Sequence, residues 1–431
     1  MRSLCAIRGD RSETQSELRA LAGMDANKCN VRLPGAVVLG GGANAVSVVR
    51  CLGRRGVRVY AVNAPNTYLR YSRYCHFICP SKDGDFAEAW ERYLLGDESE
   101  HLRGSVLLAC NDAALEILVK NRENLSKRFV LDIMNEEAQL CMLNKLSTYE
   151  AARSAGIPAP RFWRIGNGER VGDIIGEASF PLMIKPVYSH KFEQRYGRKY
   201  LLAKNRSELQ GILDSMDMEE DKVILMEVIP GPDDQLCSYY TYIDEKGEAL
   251  FDFTKRIVRR FPPNEGNGCY HVTDRVDEVK ELALKLFCSV GLKGVANVEF
   301  KKDYRDGKLK LIECNARFTA ANCLLAKSGI DLASFVYYRL LGTQLKLPSS
   351  FKVGKRLWYP RQDFNSFSAI RNRGEITFGM WVKSIMHLQT FPYFAWDDPL
   401  PSLVGGFQTC ATIVKNKVSR LLRGLGISWI G

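Results

Sequence analysis

The sequence predicts an α/β domain built on a parallel sheet, followed by a mixed α+β region, and three observations carry that reading. The apolar run Ala36, Val37, Val38 and Leu39 leads into Gly40, Gly41 and Gly42, then into a helical pattern through Val48, Val49 and Leu52 and a second strand over 57–62. Strand, glycine-rich turn, helix and strand in that order make a parallel pair. The unit repeats where a run over 105–109 ends at Asn111 and Asp112 before a helix from about Ala113. Further on, runs at 295–301 and 309–318 flank Asp303, Tyr304, Arg305, Asp306 and Gly307, which is the composition of a hairpin turn.

In chain order, residues 1–32 show no sustained period and read as a loosely held extension, and 33–140 form the parallel-sheet domain. A short helix opens at Leu143 and is stopped by Gly156 and Pro158. Strands follow at 180–185, closed by Pro186, and at 223–229, closed by Pro230 and Gly231. A β-rich stretch over 239–252 turns at Asp244, Glu245, Lys246 and Gly247, and a helix over 276–290 ends at Gly291. The hairpin completes a second unit at 141–344. Residues 345–431, with Trp358, Trp381, Trp396 and the turn Asp397, Asp398, Pro399, are expected to form an α-rich appendage.

Composition limits the classes of function. The chain has 431 residues, 46% of them apolar and 26% charged, as expected of an ordinary folded protein of several domains. No stretch approaches the roughly 18 apolar residues that span a bilayer, and Asp10, Glu13, Glu17 and Asp25 exclude a secretory signal over the first thirty positions. The 61 basic against 49 acidic residues leave +12, which favours anionic partners. These basic residues are dispersed rather than gathered with aromatics, so no nucleic acid is expected. Thirteen cysteines without a C-x-x-C pair read as reduced thiols of a cytoplasmic protein. Cys75, His76 and Cys79 are only a weak metal set.

Gly40, Gly42 and Ala45 fit G-x-G-x-x-A, the turn that brings a dinucleotide pyrophosphate to a helix N-terminus. That fingerprint wants an acid at the end of the second strand, and Asn63 stands there, so a structural turn is the preferred reading. The hairpin is more informative. Period two puts Asn297 and Glu299 on one face of its first strand, and Glu313, Asn315 and Arg317 on one face of its second, with Glu299 nearly opposite Glu313. Two carboxylates about 5 Å apart repel, and on faces shared with Val295, Leu309 and Leu311 they need a cation between them. Two Glu and one Asn oxygen suit Mg²⁺ or Mn²⁺. Lys185 at a strand end and Lys145 at a helix start offer positive charge. Beside Glu227, the backbone of Val228 and Ile229 could meet an adenine ring between apolar walls.

Lys145 before Gly156-Ile157-Pro158, Lys185 in Pro181-Leu-Met-Ile-Lys-Pro, Glu227 in Glu-Val-Ile-Pro-Gly, Glu299 in Asn-Val-Glu-Phe and the run Glu313-Cys-Asn-Ala-Arg317 together resemble the ATP-grasp superfamily. Within it the chain looks most like carboxylate–amine ligases of the D-aspartate ligase kind. The resemblance covers about 33–330 and implies a Rossmann-like N-terminal domain followed by a two-lobed ATP-grasp fold. It implies Lys145 and Lys185 on the phosphates of ATP, Glu227, Val228 and Ile229 at adenine, Asp234 at the ribose, and Glu299, Glu313 and Asn315 on Mg²⁺. Arg317 and Arg256 would face the transferred phosphate or the acceptor carboxylate. Relatives carry a glycine-rich phosphate loop where 187–200 here has only Gly197 among Lys191, Arg195, Arg198 and Lys199.

The implied reaction joins a small carboxylate to an amine through an acyl phosphate, with release of ADP and phosphate. An ATP-binding protein without ligation is the nearest alternative, and a nicotinamide oxidoreductase using the Gly40 turn comes after it. Packing or surface roles are expected for His190 and His271. Near the end, Val414, Val418, Leu421, Leu422 and Leu425 recur at helical spacing among Lys415, Lys417, Arg420 and Arg423. Such a helix would dock on its own domain, with a peripheral membrane contact as the alternative.

Overall fold

The computed structural model describes residues 33–165, 176, 178–187, 192, 196, 200–216, 223–343 and 345–405. The N-terminal extension, most of the 187–200 loop and the C-terminal basic helix expected above lie outside the described residues.

The first unit is a five-stranded parallel sheet in the order β3-β2-β1-β4-β5, built from β1 (Ala36–Leu39), β2 (Val59–Val62), β3 (His76–Ile78), β4 (Val106–Ala109) and β5 (Val130–Leu131). Every residue of β1 is buried, because helices cover both faces, as the unbroken apolar run requires. Helices α1 (Ala43–Gly53), α2 (Phe86–Leu95), α3 (Asp112–Lys120) and α4 (Arg122–Ser126) supply that cover, and α5 (Glu136–Leu143) and α6 (Lys145–Ser154) lead into the next unit. Asparagine precedes four of these six helices and caps three of them through its side chain. Asn111, Asn135 and Asn144 each accept the N–H three residues on, meeting a donor that the first helical turn leaves unpaired. Leu39 lies beside both Val62 and Ala109, so the C-terminal strand ends form one rim.

A four-stranded antiparallel sheet follows in the order β6-β9-β7-β8, from β6 (Phe162–Arg164), β7 (Leu182–Pro186), β8 (Leu201–Ala203) and β9 (Val223–Glu227). With α7 (Arg206–Asp214) it encloses a separate small core of Leu182, Ile184, Leu209, Leu213 and Leu225. The last unit is a seven-stranded sheet whose long strands are β10 (Leu236–Ile243), β11 (Phe253–Phe261), β12 (Asn267–Thr273), β13 (Gly294–Lys302) and β14 (Leu309–Asn315). Helix α8 (Asp277–Val290) crosses it and ends at Gly291, whose φ of 66° gives the left-handed cap that glycine adopts without strain. Helices α9 (Asn322–Lys327) and α10 (Leu332–Leu340) bridge from this sheet to α1.

The region after 345 is tied into the last unit. Its strands β15 (Arg356–Trp358) and β16 (Gln389–Thr390) extend the same sheet, giving the order β14-β13-β10-β11-β12-β15-β16. Helices α11 (Pro360–Asn372) and α12 (Phe378–Ile385) lie between these two strands in sequence. Asp363 in α11, fully buried, accepts from Arg259 Nε at 2.6 Å, Trp358 Nε1 at 3.0 Å and Trp381 Nε1 at 2.9 Å. Its charge and its neighbours' donors therefore satisfy one another, and the segment is fastened to β11.

Candidate active site

The hairpin forms with the register read from its turn. Glu299 pairs with Glu313 and Asn297 with Asn315 across β13 and β14. A β-bulge at Ile312 then shifts the phase, because Phe300 pairs with Leu311 and skips one residue. The bulge is held by Tyr149 Oη, which donates to the Ile312 carbonyl at 2.6 Å, and by the Leu311 N–H, which donates to Pro158 O at 2.9 Å. The shift corrects one expectation. Leu309 and Leu311 do not share the face of Glu313; both are buried in the core with Val298 and Phe300. The face of the two glutamates is polar, and it gains Lys301 and Lys310, which pair with each other one rung on.

The row continues across the sheet through Ser238 opposite Glu299 and Lys255 opposite Ser238. Lys255 Nζ donates to Ser238 Oγ at 3.0 Å and lies 3.5 Å from the Glu299 carboxylate. Burial works against its charge, yet Tyr240 and Glu299 beside it leave its pKa raised. Glu313 has no salt bridge or hydrogen bond of its own among the described residues. Asn315 Nδ2 donates to Asn297 Oδ1 at 3.1 Å, a bond that does not use the Asn315 amide oxygen. Two carboxylates and an amide oxygen, one carboxylate without a cation, fit a hard divalent ion whose other positions are filled by phosphate or water. No cluster of three His, Cys, Asp or Glu side chains occurs among the described residues, so phosphate oxygens would have to complete such a set.

Lysines 145 and 185 come from opposite walls. Asn144 caps α6 and places Lys145 at its first position, while Lys185 sits in β7 with Leu182 and Ile184 turned into the small core. Burial, reinforced by Lys145 and opposed by Glu313, lowers the Lys185 pKa to about 8. Lys145, Glu313 and Arg260 therefore lie within electrostatic reach of Lys185, and Arg260 is itself paired with Asp233 at 2.7 Å. Cations gathered near an uncompensated carboxylate suit a metal–polyphosphate.

The other expected residues divide. Glu227 ends β9 as expected, but its buried carboxylate is occupied: it accepts from Arg161 and from the Ser179 N–H, and Arg305 lies 3.6 Å away. The side chain fastens the strand end. The Val228 N–H reaches Pro181 O at 3.5 Å, and the Ile229 carbonyl accepts from Lys301 Nζ at 3.0 Å. Asp234 is exposed, whereas Asp233 is buried against Arg260 Nε at 2.7 Å. Arg317 leaves β14 toward the first unit and donates to Asp112 at 2.6 Å.

Arg256 requires a correction. It pairs across the strand with Cys237, on the opposite face from Ser238 and Glu299, and it donates to Asp274 at 2.6 Å. The residue on the site face is Lys255. Alternation read from Ser238 in β10, the partner of both, would have found it. Lys301 and Arg260 were also missed: Lys301 follows Asn297 and Glu299 on the same period of two, and Arg260 lies beyond the register shifts of β11. His271 is buried and its pKa is lowered to about 3, first by burial and then by Lys255, so it stays neutral. His190 lies outside the described residues.

The glycine turn is closed to a dinucleotide. Asn63 donates to the Gly41 carbonyl at 2.8 Å, and Asn44 accepts from the Gly42 N–H at 2.8 Å while donating to Phe318 O at 3.2 Å. The Gly42 N–H that a pyrophosphate would take is spent on Asn44, which in turn ties this unit to the last one through Phe318 O. The ten described cysteines are all unpaired, and Cys75 and Cys79 point to backbone carbonyls.

No family model matches the chain. It is 26% identical over 284 residues to D-aspartate ligase of Enterococcus faecium (strain Aus0004), a match that covers 62% of this chain. The match spans 66% of that protein, just under two thirds of its length. By structure the chain is similar to N5-carboxyaminoimidazole synthetase from Staphylococcus aureus complexed with ADP, with a TM-score of 0.56 at 16% identity over 76% of this chain and 82% of that one. It is also similar to L-amino acid ligase from Bacillus licheniformis, with a TM-score of 0.52 at 16% identity over 72% of this chain and 75% of that one. The architecture is therefore an ATP-grasp fold, with the parallel-sheet unit as its preceding domain.

Proposed function

We propose that this ATP-grasp chain is an ATP-dependent carboxylate–amine ligase that forms an amide through an acyl phosphate and releases ADP and phosphate. The observation that carries the reading is the Glu299–Glu313 rung, with Glu313 uncompensated and the Lys145–Lys185 pair within electrostatic reach. Glu299, Glu313 and Asn315 hold Mg²⁺ or Mn²⁺, which supplies charge neutralisation to the phosphates of ATP. Lys145 and Lys185 bind the phosphates, the backbone at Val228 and Ile229 receives adenine, and Asp234 the ribose. Lys255 fixes Glu299, and Arg317 faces the carboxylate that accepts the phosphoryl group. Such a site lowers the barrier by positioning and by stabilising charge, so no protein nucleophile is needed.

A carboxylate is a poor electrophile until phosphorylated, after which an amine attacks its carbon and phosphate leaves. D-aspartate ligase, the similar protein, makes amino acids the first acceptors to screen for ADP release. We place the reaction in the cytoplasm, where ATP is available. With the carboxylate labelled by ¹⁸O, label should appear in inorganic phosphate. Formation of AMP and pyrophosphate would overturn the acyl phosphate, and absence of ADP release with every acceptor would leave a nucleotide-binding protein.

A further inference from the structure

Among the described residues eleven large apolar side chains stand exposed, and eight of them fall between Phe364 and Leu403. The most exposed are Trp396 at 90%, Leu388 at 87% and Met386 at 74%. Helix α12 buries none of its residues, although Phe378 and Met380 are apolar. Scattered apolar residues on a surface are ordinary; a concentration of this kind in one region marks an interaction site.

The region is packed behind its exposed tips. Trp381 stacks on Phe367 at 4.7 Å and meets Phe378 at 5.8 Å, while Phe391 meets Trp358 at 5.9 Å and Phe394 meets Trp396 at 4.9 Å. Asp363 joins the two groups by accepting from both Trp358 and Trp381. Charge selects the partner. Over 360–403 the exposed basic residues Arg361, Arg371, Arg373 and Lys383 outnumber the exposed acids Glu375 and Asp397, because Asp363 and Asp398 are buried, and Asp397 is paired with Arg54.

We propose that this face, α12 with the turns at 386–388 and 396, seats on an anionic lipid surface. Aromatic and aliphatic tips ringed by Lys and Arg are what the headgroup–acyl boundary accepts, with Trp at the interface. A second copy would be seated badly, since a two-fold interface brings one net basic face against the same net basic face. After Gly405 the sequence continues in the same style, with Val414, Val418 and Leu421 among Lys415, Lys417 and Arg420. Behind the face, Ser384 of α12 is bonded to Arg259 of β11 and to Tyr270 of β12, whereas the glutamate rung lies on β13 and β14.

Sedimentation of the full chain with vesicles of phosphatidylcholine plus phosphatidylglycerol, against phosphatidylcholine alone, tests this. Binding is expected only to the anionic vesicles, with a blue shift of tryptophan emission and release at about 0.5 M salt. The combined variant Met380→Ser, Leu388→Ser, Trp396→Ser should weaken partitioning by about tenfold or more with an unchanged melting temperature. No binding to anionic vesicles, or equal binding by the combined variant, overturns the proposal. So does a concentration-dependent dimer that the variant dissolves while neither protein binds vesicles.

Discussion

Lys255 Nζ lies 3.5 Å from the Glu299 carboxylate, and its neighbour Arg256 points through the sheet to Asp274 on the other side. The pair sets a parity test, because two adjacent basic residues of one strand should have opposite consequences. Lys255→Met removes the cation from the carboxylate row and should lower turnover by about 10² or more. Arg256→Ala breaks only a half-exposed pair, which contributes about 1 kcal/mol or less, and should leave turnover within about twofold. Steady-state ADP release by the two purified variants decides it; the reverse ranking would place the reacting phosphate on the wrong face.

What the sequence showed of this site depended on how local each signal was. The Glu299–Glu313 rung was legible because a hairpin turn and a period of two specify register within twenty residues. The bulge at Ile312 was not, since its cause is Tyr149, some 160 positions away. Glu227 was found as a strand end, but the partners of its carboxylate, Arg161 and Arg305, come from distant segments. The strands β15 and β16 have three and two residues, too few to show a period, so the region after 345 was read only by its helices.

Glu313 should reveal the metal. Its side chain is exposed and makes no bond among the described residues, so Glu313→Gln should leave stability within about 0.5 kcal/mol. The same change removes one ligand charge, and the Mg²⁺ concentration needed for half-maximal turnover should rise about 10- to 100-fold. A titration of activity with Mg²⁺ and then Mn²⁺ measures this. An unchanged requirement would remove Glu313 from the metal set.

Lys185 should make nucleotide binding depend on pH. Burial and Lys145 lower its pKa to about 8, against about 10.4 in an unfolded chain. Between those values the unfolded state binds a proton that the native state does not, so this group makes stability rise with pH across that window. Below pH about 8 the full cost of the buried charge is present. A polyphosphate favours the charged lysine, so binding of fully ionised ATP near pH 8.5 should take up protons. Calorimetry in buffers of different ionisation heat reads that uptake, and Lys185→Met should abolish most of it. Equal heats for the native protein, after buffer correction, would separate Lys185 from the phosphates.

Asp398 should behave unlike its neighbour Asp397, although one bonds Arg50 of α1 and the other Arg54 at its C-terminal end. The Asp398 side chain is 1% exposed and accepts from Arg50 Nε at 2.9 Å, Ser72 Oγ at 2.8 Å and the Arg73 N–H at 2.9 Å. Asp398→Ala therefore leaves the Arg50 guanidinium buried without its counter-charge, at a cost of about 3–5 kcal/mol. Asp397 and Arg54 are 43% and 39% exposed, and Asp397→Ala should cost about 1 kcal/mol or less. The difference reaches the first unit's glycine turn, because Tyr393, whose carbonyl accepts from Arg50, holds its hydroxyl about 3.4 Å from where a Gly42 side chain would begin. Thermal melts of the two variants should rank them Asp398→Ala far below Asp397→Ala, and limited proteolysis should cut the Asp398→Ala protein near 391–405 first. Equal melting temperatures would mean that the segment after β16 is held by its aromatic contacts and not by this buried ion pair.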